Sequence, residues 1–211
     1  MVGEVQLTPA AAHATGDRAR GDRPRRWWPA AAAVVLAVVL ARAFVAEPFR
    51  IDSGSMLPTL RAGDQVLVDK RAYRDALPRR GDLVIFHAPR SGEVTLKRAI
   101  GLPGDTVAIE DGVLVVNGRR RQEPYADAHA IDSVYFGPAR VPADAVFVLG
   151  DNRADSLDSR DFGAVPHRDL MGRVQVRLWP PARWGDPHEA LQNPAATSWD
   201  LHPFDPRTPH P

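Results

Sequence analysis

Residues 27–41 carry no charge, and five arginines stand just before them: Arg18, Arg20, Arg23, Arg25 and Arg26. A run this apolar must leave water, either inside a bilayer or inside a core. It falls short of the roughly 20 residues a spanning helix needs. Counting through Ala46, with Arg42 reaching back to the interface, restores that length. Trp27 and Trp28 suit an interfacial belt, and the arginines put the N-terminal side in the cytoplasm. A buried core helix would not begin with five arginines and a double tryptophan. A cleaved export segment is the stronger rival, because Ala41-Arg42-Ala43 has the letters of a small-residue cleavage site. The sequence before the site has no helix breaker. On either reading the rest of the chain is outside the cytoplasm, and the first expects a single-pass membrane protein.

This divides the 211 residues. Residues 1–26, poor in large apolar side chains, are expected to be a disordered basic arm. Residues 27–46 are the expected anchor, residues 47–179 one folded domain, and residues 180–211 a proline-rich disordered tail with no part in chemistry. Net charge is +1, so no global field suggests nucleic acid. The chain has no cysteine, which excludes thiol nucleophiles and thiolate metal sites. Its 7 histidines are scattered and none has metal-ligand spacing. No metal or cofactor is expected.

Within 47–179 the apolar period is mostly two. Residues 65–69, 82–86, 106–110, 113–116, 146–149 and 173–179 read as short strands. Asp111-Gly112 and Asn117-Gly118 supply the positive φ angles of tight hairpins. In 173–179, Val174, Val176 and Leu178 alternate with Arg173, Gln175 and Arg177. The expectation is a mainly β domain with at least six strands.

Three stretches could carry chemistry. Residues 51–60 hold Ser53 and Ser55 around a glycine, followed by Met56 and Pro58. Serine beside glycine commonly marks a turn, and a serine hydroxyl needs a base to act as a nucleophile. No histidine has a context that suggests that role. Only two of the 27 Lys and Arg residues are lysines, Lys70 and Lys97. Lysine can shed its proton when desolvated, whereas arginine cannot. Lys70 abuts Arg71 after a strand and reads as a surface charge. Lys97 lies in the strand-like Val94 to Ile100. Burial there would lower its pKa, although periodicity sets Val94, Leu96 and Ile100 on the opposite face and Lys97 towards solvent. Residues 150–160, dense in Asp, Arg and Ser, read either as a solvated loop or as hydrogen-bonded support for a site.

Taken together, these segments resemble bacterial type I signal peptidases, over roughly residues 44–179. The signatures come in family order: 53–60, then Arg80-Gly81-Asp82-Leu83-Val84-Ile85-Phe86, then 97–105, then 150–160. The resemblance implies a coiled antiparallel, β-barrel-like sheet after one transmembrane helix. It implies a serine endopeptidase that removes signal peptides from secreted preproteins, with membrane lipid as its other partner, acting as a monomer without cofactor. It makes Ser55 the nucleophile and Lys97 the general base of a Ser-Lys dyad. Ser53 joins the Ser55 N–H as oxyanion donor, and Ser156 orients the lysine amine. Asp151, Arg153, Asp158, Ser159 and Arg160 brace the site. Ile51, Met56 and Leu96 line shallow pockets for the small residues of an Ala-x-Ala site. Ala154-Asp155 stands where the family usually has Asp-Asn.

Two other readings share parts of this pattern. A self-cleaving repressor uses the same dyad, but would need a DNA-binding helix-turn-helix in place of the apolar run. A membrane-tethered β module that only binds a partner would explain the run and the strands, and leave the serines, Lys97 and residues 150–160 as coincidence.

Overall fold

The computed structural model describes residues 27–126 and 135–188, without the side chains of 41–44. The expectations for residues 1–26 and for 189–211 lie outside the described residues, as does 127–134. The chain divides into two units, Met1–Ala37 and Val38–Pro211.

Helix α1 is Trp28–Phe44. Its valines and leucines stay open, with Val34 at 63% and Val38 at 53% exposure. It has no polar face of the kind a surface helix shows. Among the described residues no helix is long and apolar enough to cross a membrane. The 17 residues of α1 rise about 26 Å. The apolar run does not continue as helix to Ala46. Val45 turns, and Ala46 opens strand β1, Ala46–Arg50, paired antiparallel with β2, Gln65–Asp69. Pro48 sits in β1, at a sheet edge, where a missing N–H costs little.

The remaining strands are β3 (Leu83–His87), β4 (Val94–Gly101), β5 (Thr106–Glu110), β6 (Val113–Val116), β7 (Arg119–Arg120), β8 (Phe136–Arg140), β9 (Ala145–Leu149), β10 (Val165–Pro166) and β11 (Leu170–Trp179). A four-residue helix α2, Ser159–Phe162, lies between β9 and β10. The domain is mainly β, and every strand pairing is antiparallel.

The barrel-like closure expected from the sequence is not what the strands form. One sheet runs β1-β2-β11-β3-β4-β9-β10 and a second runs β7-β6-β5-β8, each in linear order with two ends. The second sheet is built from hairpins. Asp111 and Gly112 turn with φ of 52° and 74°, Asn117 and Gly118 with 54° and 72°, the pair of positive angles that a tight hairpin needs.

Strand β11 lies between β2 and β3, so the last strand closes the middle of the large sheet. Its alternation is broken by register shifts between Val174 and Val176 and between Arg177 and Trp179. Val174 is therefore fully buried, while Leu178 is exposed.

Strands β3 and β4 are buried on both faces. Leu83 and Ile85 join a cluster with Ile51, Met56, Val68 and Leu96, whereas Val84 and Phe86 join one with Tyr73, Ala99 and Val148. A third cluster, of Ile100, Val107, Leu114, Tyr125 and Phe147, joins the two sheets. At this corner Gly101 admits no side chain. A Cβ there would lie 2.6 Å from Val107 Cγ2 and 2.9 Å from Phe147 Cβ. Overpacking of this kind costs roughly 1–3 kcal/mol. Gly101→Ala is expected to lower the urea midpoint accordingly, with its m-value unchanged.

Candidate active site

The turn after β1 carries Ser55. It is closed by Leu57 N–H to Gly54 O at 3.1 Å and Leu60 N–H to Met56 O at 2.9 Å. Met56 and Leu60 anchor it in the core beneath. Across from it, mid-strand in β4, Lys97 Nζ donates to Ser55 Oγ at 2.7 Å, and the two groups are 3% and 7% exposed. Ser53 Oγ lies 3.2 Å from Ser55 Oγ. These groups sit in an open cleft of about 560 Å³, to whose walls Ile51, Met56, Leu96 and Leu157 contribute. The three apolar residues expected to form substrate pockets thus line the same cleft as the serine.

Strand periodicity pointed Lys97 to solvent, but β4 is interior, flanked by β3 and β9, and has no solvent face over most of its length. Burial pulls the Lys97 ammonium down from its ordinary 10.5 to about 8, against the upward pull of Asp158, Asp151 and Asp155. A lysine at 10.5 would be neutral in about one molecule in three thousand at pH 7, and one at 8 in about one in ten. The amine can therefore accept the Ser55 proton near neutrality.

The next residue in β4 faces the other way. Arg98 is 1% exposed. Its Nε and NH2 grip Asp151 at 2.7 and 2.6 Å, its NH1 donates to Gly81 O at 2.9 Å, and its guanidinium lies 4.0 Å over the Tyr125 ring. Burial opposes the charge of Arg98, and Asp151 more than offsets this, so its pKa is raised. Asp151 also accepts from Thr59 Oγ1 at 2.5 Å. Sequence reasoning gave neither Arg98 nor Thr59 a role. The available signal was the placing of Arg98 directly after the candidate base in a strand buried on both sides.

Much of the 150–160 segment is hydrogen-bonded into the frame of the site, while Ala154, Asp155 and Leu157 stay exposed. Asn152 N–H donates to Ser55 O at 3.0 Å, and its side-chain amide to Gly54 O at 3.2 Å. Arg153 donates to Gly150 O at 2.9 Å and pairs with Glu123, which Tyr125 also contacts at 2.9 Å. Asp158 is fully buried. It caps α2, accepts Gly150 N–H at 3.0 Å and pairs with Arg160 at 2.9 Å. Ser159 Oγ accepts Val148 N–H at 2.9 Å. Gly150 must be glycine, since a Cβ there would lie 2.7 Å from Ser55 O. Glu123, Tyr125 and Asn152 were also unassigned from sequence.

Ser156 departs from expectation. Its Oγ is buried without a hydrogen-bond partner and packs against Gly150, where a Cβ would lie 2.2 Å from that oxygen. It is not bonded to Lys97. Asp155, at the position that differs from the usual pattern, is exposed and lines the cleft. Lys70 is paired with Glu47 at 3.1 Å at the surface.

A buried serine hydroxyl bonded to a lysine of lowered pKa, facing a cleft, is equipment for hydrolysis through a nucleophilic serine. The family described as Signal peptidase, peptidase S26, matches residues 24–179. The chain is similar to the Signal peptidase I of Leptolyngbya laminosa, 44% identical over 162 residues, which are 72% of this chain and 79% of that protein. It is 38% identical over 195 residues to the Probable signal peptidase I-2 of Synechocystis sp. (strain ATCC 27184 / PCC 6803 / Kazusa), covering 86% and 88%. It is 39% identical over 172 residues to the Signal peptidase I of Bacillus caldolyticus, covering 75% and 92%. The chain belongs to the signal peptidase family, peptidase S26, and is a hydrolase of that kind.

Two outcomes follow from the site's electrostatics. Asp151→Asn leaves Arg98 buried without its partner and is expected to cost about 3–5 kcal/mol in urea unfolding. Lys97→Met tests the buried amine. Its native pKa lies below its unfolded value, so the unfolded chain holds more protons between about pH 8 and 10.5. Wild-type stability therefore rises with pH across that window, and below it the chain bears a cost on the order of 3 kcal/mol. Lys97→Met should melt higher than wild type at pH 6.5, with the gap closing towards pH 10.5.

Proposed function

We propose that this peptidase is a membrane-anchored serine endopeptidase that cleaves signal peptides from exported preproteins after Ala-x-Ala sites, with Ser55 as nucleophile and Lys97 as general base. The observation that carries the reading is the 2.7 Å contact between Lys97 Nζ and Ser55 Oγ, both buried beneath one cleft.

In the neutral amine the hydrogen bond runs the other way, from the Ser55 hydroxyl to Nζ. The proton passes to Lys97 as Oγ bonds to the scissile carbonyl carbon. Charge collects on the former carbonyl oxygen, where the Ser55 N–H and the Ser53 hydroxyl act as donors, each worth about 3 kcal/mol when preorganised. The C–N bond then breaks, and the leaving amine takes the proton from Lys97. Water then attacks the acyl carbon, giving a proton to the neutral Lys97 amine; the C–Oγ bond breaks and Lys97 returns that proton to Ser55 Oγ. Ile51, Leu96 and Met56 offer apolar contact for the small side chains of the Ala-x-Ala site, which both lie on the N-terminal side of the scissile bond.

The apolar α1 places the enzyme at the membrane in this reading, with the arginine-rich side cytoplasmic and the catalytic domain outside. The basic flank, the tryptophan pair and the all-round apolar face support it. A hydrophobic stretch shorter than the bilayer is accommodated by local thinning at modest cost. Signal peptides, apolar themselves, arrive from the same lipid.

In detergent, with a synthetic Ala-x-Ala signal-peptide substrate, Ser55→Ala and Lys97→Ala should each lower kcat by about 10⁴-fold or more. The wild-type kcat/KM should rise with pH on a limb centred near 8. Activity that survives Ser55→Ala, or a limb near the free-lysine value, would overturn the dyad.

A further inference from the structure

The family match ends at Trp179, but the fold does not. The chain turns back through a 3-10 turn, Pro181–Arg183. Arg177 N–H then donates to Gly185 O at 2.9 Å, and Gly185 N–H to Arg177 O at 3.3 Å. This return was expected to be part of a disordered tail without a role. Instead it sets the guanidinium fork of Arg183 between two acceptors next to the Ser55 turn. NH1 pairs with Asp64 at 3.1 Å, and NH2 donates to the Thr59 carbonyl at 3.2 Å. Arg177 NH1 donates to the same carbonyl at 2.9 Å, and Arg177 Nε to the carbonyl of Arg183. Asp64 is buried and also accepts Arg61 N–H at 3.0 Å.

Thr59 ends the turn that begins at Ser55. The turn is held in front through Asn152, at Ser55 O and Gly54 O, and behind through Thr59. The Thr59 side chain bonds Asp151 while its carbonyl takes the two arginines. Neither Arg177 nor Arg183 lines the cleft.

We infer that Arg183 is a positioning residue, and that the strap of residues 179–185 fixes the aim of Ser55 Oγ by holding the Thr59 carbonyl. The inference rests on Ser55 being the nucleophile. Misplacing a reacting group by 1 Å costs on the order of 10²-fold in rate, whereas the strap contributes no residue to the cleft wall.

The test uses the full chain in detergent, the synthetic Ala-x-Ala peptide, and rates referred to folded protein by thermal melt. Arg183→Met should lower kcat by about 10- to 100-fold, with KM within about twofold. That variant also strands the Asp64 carboxylate, so the deciding variant is Asp64→Asn/Arg183→Met, which removes the unpaired charge. Positioning keeps kcat low in the double variant although its melting temperature recovers. If kcat recovers with the melting temperature, or if the loss is confined to KM, the inference is overturned. Should the Met variants not fold, Arg183→Lys decides. It keeps the pairing charge without the fork, and a reduced kcat at unchanged melting temperature supports positioning, while a wild-type kcat overturns it. Ser55→Ala in the same assay isolates the underlying reading: activity there discards the nucleophile, whatever Arg183 does.

Discussion

A lysine works as a base near neutral pH only if it is kept out of water and its surroundings do not hold its charge too well. Lys97 meets the first condition by lying mid-strand in β4, between β3 and β9. The second is harder, because Asp158, Asp151 and Asp155 all favour the ammonium. Two of these carboxylates are fully buried, and each has its own guanidinium: Asp151 with Arg98, Asp158 with Arg160. A paired carboxylate presents much less field to a third group than a bare one. The acids can thus serve as hydrogen-bond acceptors that order the loop without returning Lys97 to its ordinary pKa.

The same pairing explains why the support is built from charges at all. An ion pair in a protein interior gains little net stability over apolar packing, since desolvation nearly cancels attraction. Its use here is geometric. Asp151 reaches β4 through Arg98 and the nucleophile turn through Thr59. Asp158 reaches Gly150, α2 and Arg160. An apolar contact of similar size would fill the space but would not fix register between three separate stretches of chain.

How much of this could be read beforehand depended on the kind of signal. Asp111-Gly112 and Asn117-Gly118 announce their hairpins because few residues tolerate positive φ. Ser55, Lys97 and the 150–160 segment stood out by residue type and order. Burial was not legible in the same way. Alternation assigns one face of a strand to solvent, and β4 has neither face free, so Lys97 looked like a surface cation. Nor could barrel closure be separated from two open sheets, since both need the same strands and turns. Contacts continue past Trp179 because proline content marks irregular backbone, not absence of contact; Pro180 and Pro181 lead into a turn that places Arg183. Ser156 was placed by sequence position alone, and position does not say which way a hydroxyl points.

The imbalance of arginine over lysine has a local reason in this site. Arg98, Arg153 and Arg183 each bind a carboxylate with one part of the guanidinium and a backbone carbonyl with another: Asp151 and Gly81, Glu123 and Gly150, Asp64 and Thr59. Arg160 does the same with Asp158 and the carbonyl of Arg153. A planar fork of five donors can serve both acceptors at once, and its charge is not lost on burial. Lysine offers a single point of charge and gives up its proton when desolvated. Those properties make it a poor clamp and a usable base. In a loop-built site where irregular backbone leaves carbonyls to be satisfied, arginine is the residue that secures the frame, and a lysine is wanted only where a proton has to move.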